Sequence, residues 1–309
     1  MDTAKIILKG LFLVLFLPSV LLADVLDDEL PNTTPLQIKE RAREVISLGI
    51  GNQGILKMTK AMLQNKFTEE QMIRAYAIIG EAKKNGLPIE PVMNKLHEGI
   101  GKHIQNQNII MAMEKVKERY QSATQYAYSM TDSEEETDAL TGDIAESLAA
   151  GMTGIDIESI GDMLDQMKIQ TKEKSSLRIQ TMATVKTMAR TGAGSASVIH
   201  IIGAALKNGY DQNKMKGLEK AFMVQVRGNH NPSQIAKAFT RGINAGISVD
   251  EMGRHGFMNS AGSGGSGGYG NGSGNGTGMG GTGSGGGSGG MGGSGHGSGG
   301  GGSGGGGRR

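Results

Sequence analysis

The chain has 309 residues, a formal net charge of +2, and neither cysteine nor tryptophan. Disulfide scaffolds, thiolate metal sites and cysteine nucleophiles are excluded, and no strong global field points to nucleic acid or to a membrane surface. With 4% aromatics and 19 methionines, a core must be built from Ile, Leu, Ala and adaptable Met.

Residues Met1–Ala23 read as a secretory signal peptide. Lys5 and Lys9 supply the positive start, Leu11–Leu22 the apolar run, and Ala23 a small residue for cleavage. The run is 12 residues long, short of the ~20 that a spanning helix needs. The expectation is a periplasmic or extracellular protein, with no integral membrane segment once the signal is removed. An N-terminal extension, residues 24–35, follows and opens with the acidic Asp24-Val25-Leu26-Asp27-Asp28-Glu29.

A first helical half is expected over 36–130. Thr34 is placed to cap the first helix and Pro35 to sit in its first turn, where a missing N–H costs nothing. Leu36, Ile38, Ala42, Val45, Ile46 and Leu48 then keep helical spacing until Gly49. A second helix runs over about 54–65. Thr68-Glu69-Glu70-Gln71 is a capping box, and the helix after it stops at Gly86. Pro91 starts a short helix, and 104–130 is the longest helical stretch.

Residues 131–138 carry Asp132, Glu134, Glu135, Glu136 and Asp138 and read as a solvated acidic connection. A second helical half is expected over 139–255. Its segments are 144–152, 157–167, a basic helix at 172–190, 195–208, 213–227, and 232–244 behind Asn231-Pro232. Ser248-Val249-Asp250-Glu251 is a last capping box.

The junctions share one plan. In Asn85-Gly86-Leu87, Asn208-Gly209-Tyr210 and Ala245-Gly246-Ile247, glycine follows the helix and an apolar residue follows glycine. Glycine takes the left-handed conformation that a Cβ resists, and the next side chain folds back onto the last turn. Spacings of about 17–20 residues, paired into about 37, are the scale of helical-hairpin arrays. Ile78–Gly86 and Ile201–Gly209 agree at seven of nine positions, which suggests two related halves offset by 123 residues. The fold expected is all-α: an array or bundle of short helical hairpins. Helix-interior glycines (Gly80, Gly161, Gly203, Gly217, Gly242) are expected where two helices approach closely, since each otherwise costs about 1 kcal/mol against alanine.

Residues 256–309 are Gly/Ser-rich, without apolar periodicity, and are expected to be a disordered tail. Some 50 such residues would have an r.m.s. span of about 40 Å, enough for a tether.

Chemistry is harder to read. His97 and His103 lie six apart, a poor spacing for a metal pair on one helix. His200 sits in an apolar helix and reads as a packed histidine. His255, Met258, Met279, Met291 and His296 are scattered over the tail. Asp156, Glu158, Asp162 and Asp165 read as a water-facing stripe rather than paired hydrolytic carboxylates. Lys168, Lys172, Lys174, Arg178, Lys186 and Arg190 lack interleaved aromatics, so they argue against nucleic acid and for a docking face toward an acidic partner. No catalytic, cofactor-binding or metal-ligating residue is assigned, and no cofactor is expected. The leading expectation is a non-enzymatic, exported helical-repeat interaction or scaffold protein whose partner is a protein or an envelope component. The alternatives are a helical hydrolase of an envelope polymer and a matrix component that self-associates through its tail.

Overall fold

The computed structural model describes residues 28–254 and 256–258. The expected signal peptide and the tail beyond 258 lie outside them. Among the described residues the fold is all-helical, without strands, as expected. The first five helices are α1 (Leu36–Ser47), α2 (Asn52–Gln64), α3 (Glu69–Lys84), α4 (Glu90–Gly101) and α5 (Asn106–Met130). The others are α6 (Glu134–Ala149), α7 (Gly154–Asp165), α8 (Thr171–Arg190), α9 (Ser195–Lys207), α10 (Gln212–Arg227), α11 (Pro232–Asn244) and α12 (Val249–Met252).

Packing sorts them into two rows. In one, α1, α3, α5, α6, α8, α10 and α12 each touch the next; in the other, α2, α4, α5, α7, α9 and α11 do. Chain order thus alternates between rows, as hairpins stacked side by side require. The exception is α5, whose 25 residues reach neighbours in both rows. It is the seam of the array.

The hairpins are timed by their stops. Left-handed residues stand at 49, 66, 86 and 103, and again at 192, 209, 229 and 246, so steps of 17, 20 and 17 recur after 143 residues. At Gly86 the N–H donates to the Lys83 carbonyl at 3.1 Å, and the Leu87 N–H to the Ala82 carbonyl at 2.9 Å. Gly209 and Tyr210 repeat this pair of bonds on Leu206 and Ala205. Both are helix stops in which a buried apolar side chain closes the last turn. The 123-residue offset is corrected by this phasing. Gly86 ends α3 in one row and Gly209 ends α9 in the other; in the cap spacing Gly86 corresponds to Asn229 and Gly209 to Lys66. The matching nonapeptides answer the same capping requirement at different places in the array.

The helix-interior glycines do mark close approaches. A Cβ at Gly161 would lie 3.2 Å from Met130, at Gly203 3.2 Å from Met163, at Gly217 2.9 Å from Val249 and at Gly242 2.8 Å from Met252. Each is a place where a side chain of a neighbouring helix sits on bare backbone. Gly80 is looser, at 3.6 Å from Leu48.

Two local readings change. Thr34 does not cap α1: its buried hydroxyl finds no bond, and no side chain caps that helix. The acidic run is mostly helix rather than connection, and of its carboxylates Glu136 is buried while Asp132, Glu134, Glu135 and Asp138 stay exposed. Ser133 caps α6 by accepting from the Glu136 N–H, and Glu134–Glu136 form the first turn, where carboxylates match the positive end of the helix dipole. Only residues 131–133 join α5 to α6.

Candidate functional site

Charge is spent mostly between helices. Glu136 is buried against Arg178 of α8, Lys186 meets Asp143 at 2.6 Å, and Arg190 meets Glu146 at 3.3 Å. Lys174 bonds Asp165 at 3.0 Å. Four of the six basic residues of the expected docking face are thus engaged by carboxylates of neighbouring helices: Arg178, Lys186 and Arg190 by Glu136, Asp143 and Glu146 of α6, and Lys174 by Asp165 of α7. A charge pattern read along one helix cannot show which neighbour will neutralise it. Lys168 and Lys172 remain exposed.

Similar seams join other neighbours. Glu219 of α10 accepts from Gln180 at 2.8 Å and from Thr187 at 2.7 Å, both on α8. Between α3 and α5, Lys117 bridges Glu114 and Glu81, and Arg74 reaches Glu114. The Lys117 hydrogen bond holds the Glu81 carboxyl below the usual range, against a smaller opposing push from burial. These pairs set the register of adjacent helices.

The histidines do not converge. His97 is half-buried on α4, and burial, then the charge of Lys57, pulls its pKa down. His103 is the exposed left-handed residue that ends α4. His200 is exposed, so its reading as a packed histidine is corrected: α9 turns Val198, Ile201 and Ile202 inward and leaves His200 outside. Asp156 is committed to the capping box of α7 and Asp165 to Lys174 and Arg178 of α8, while Glu158 and Asp162 face water. Among the described residues no group of three or more His, Asp or Glu is placed to hold a metal ion. None of their helices is long and apolar enough to cross a membrane. Of the tail candidates only Met258 is described, partly buried beside the core.

A groove of about 490 Å³ lies where the α7–α8 connection and the start of α8 face the α9–α10 turn. Met167, Ile169 and Leu177 give it an apolar floor, with Tyr210 at its edge. Tyr210 is there because the helix stop at Gly209 folds its ring back onto α9. Burial raises its phenol pKa, and the Lys214 ammonium stands 5.9 Å from the ring centroid. Lys172, Glu173 and Ser176 from α8, with Gln212 and Asn213 from α10, form a polar rim. An apolar floor, one fixed aromatic edge and a rim of both charges suit the side chains of a protein segment. Sequence reading found the Gly209-Tyr210 turn as architecture only. Nothing in its local pattern shows that α8 will stand opposite.

No protein-family model, curated protein or solved structure matches the chain.

Proposed function

We propose that the protein is an exported, non-enzymatic scaffold that binds a protein partner through its hairpin array, with the Tyr210 groove as the contact. The observation that carries this reading is the groove itself: a concavity between successive hairpins, floored by Met167, Ile169 and Leu177 and rimmed by mixed charge. Stacked helical hairpins present such surfaces repeatedly, because each pair buries one side against its neighbours and leaves the connections free. Export rests on the Met1–Ala23 pattern of positive start, apolar run and small residue, and a tether role on the Gly/Ser composition of the tail.

The test is capture from the envelope of the source cell with the wild-type protein and with Ser176→Arg. Ser176 is half-buried at the rim, so arginine fills the groove without disturbing the core. A discrete partner retained by wild type and lost by Ser176→Arg is expected. Equal capture by both would remove the groove from the reading, and release of cleaved envelope polymer would favour the hydrolase alternative.

A further inference from the structure

The net charge of +2 hides a division along the array. Residues 28–165, which form α1–α7, carry 22 Asp and Glu against 14 Lys and Arg, a balance of −8. Residues 166–254, which form α8–α12, carry five Asp and Glu against 14 Lys and Arg, a balance of +9. Four of the later cations, Lys174, Arg178, Lys186 and Arg190, are spent on carboxylates of α6 and α7. The excess that remains is at the surface. Charge segregated between two parts of a chain points to an anionic partner rather than to a need of the fold.

α10 carries the densest part of that excess. Its buried residues, Met215, Leu218, Ala221, Phe222 and Gln225, form one face. At about 100° per residue, Lys216, Lys220 and Arg227 fall within about 40° of one another on the opposite face, in a stripe about 17 Å long with Met223 in it. All three cations are exposed, and among the described residues none has a carboxylate in ion-pair range. The carboxylates of α8–α12 are occupied elsewhere or stand at helix starts. Glu219 accepts from Gln180 and Thr187 of α8, and Asp211 caps α10 by accepting from the Lys214 N–H at 2.8 Å. Glu173, Asp250 and Glu251 lie in the first turns of α8 and α12.

We propose that the α10 stripe docks on an anionic lipid bilayer, so that α8–α12 lie against the leaflet and the acidic α1–α7 part is held away from it. The stripe carries no aromatic side chain on which bases could stack. Its one apolar member, Met223, is half-buried and flanked by cations, as on a helix face lying at headgroup level. Anionic lipids diffuse within a leaflet and gather under a fixed row of cations, whereas an acidic protein must match the row's spacing. The attachment is peripheral and electrostatic, so it weakens as salt shortens the Debye length. It does not depend on the Tyr210 groove.

The test is co-sedimentation of the chain from Asp24 to Arg309 with phosphatidylcholine vesicles, either pure or with about a third of the lipid replaced by phosphatidylglycerol. Binding to the anionic vesicles alone, with release at about 0.5 M salt, is expected. Each cation at an anionic leaflet strengthens attachment about fivefold, so Lys216→Gln, Lys220→Gln and Arg227→Gln together should weaken it about a hundredfold. Lys83→Gln, Lys84→Gln and Lys115→Gln together change the net charge equally on α3 and α5 and should leave binding within about threefold. All six positions are exposed, and circular dichroism confirms that both variants are folded. Equal binding to both vesicle types, binding to neither, or equal loss in both variants would overturn the proposal. Self-association without vesicles that the α10 variant alone abolishes would also overturn it, giving the stripe to a second copy of the chain.

Discussion

Glu136 on α6 and Arg178 on α8 stand 42 residues apart in the chain and meet as an ion pair with both side chains under a tenth exposed. The Thr131 hydroxyl adds a bond to the carboxylate at 2.9 Å, and Asp165 lies 3.5 Å from the guanidinium. Removing one member leaves a buried charge without its mate. Glu136→Gln is expected to cost about 3–5 kcal/mol, whereas Glu136→Leu with Arg178→Met should be near neutral or stabilising. Urea unfolding followed by circular dichroism checks both. A Glu136→Gln loss under about 1 kcal/mol would show that water reaches the pair and weakens its role.

Helix glycines divide by what faces them. A Cβ at Gly99 would lie 2.6 Å from Ile109, while one at Gly142 meets nothing within 4 Å. Gly99→Ala should therefore destabilise by about 1–3 kcal/mol through overpacking. Gly142→Ala should stabilise by up to about 1 kcal/mol through helix propensity. Thermal melts of the two variants are expected to move in opposite directions.

The helix stops make a similar pair of expectations. Lys66, His103 and Asn229 hold left-handed backbone at φ 56°, 54° and 61°. Glycine at Lys66 or His103 should stabilise by about 1 kcal/mol by relieving the Cβ contact with the carbonyl. Gly86→Ala, at φ 70° with open space around it, should cost about as much for the same reason. Denaturant midpoints report each change.

The Tyr76 phenol is bonded to the Thr59 hydroxyl at 2.6 Å inside the core, and burial pushes its pKa from 10 up to about 12. The folded state favours the neutral phenol, so the raised value contributes stability that is complete below pH 10 and is lost as pH climbs toward about 12. Tyrosinate absorbance should show Tyr76 as a late-titrating group that Tyr76→Phe removes, with less alkaline destabilisation in the variant. Ionisation of every tyrosine near pH 10 would contradict this.

Much of the fold was legible because helix ends obey local physics. The Thr68 capping box, the Asn231-Pro232 entry and the Gly86, Gly209 and Gly246 stops depend on residues a few positions apart. Left-handed Lys66 was harder to see because lysine does not announce that conformation, whereas His103 and Asn229 are of residue types enriched in it. The hairpin phasing hides behind them. Partner choice was not legible at all: Glu136, Asp143 and Glu146 of α6 and the basic length of α8 read as separate features until the row brings the two helices together. The Tyr210 groove escaped notice for the same reason, since its two walls are more than thirty residues apart.

The central claim is that the Tyr210 groove takes a protein partner, and site-directed photocrosslinking in the source cell tests it most directly. Benzoylphenylalanine at Ser176, on the groove rim, is compared with the same group at Glu118, on the water-facing side of α5. A single discrete adduct from position 176 and none from position 118 is the predicted result. No adduct from position 176, or the same adducts from both positions, would contradict the account.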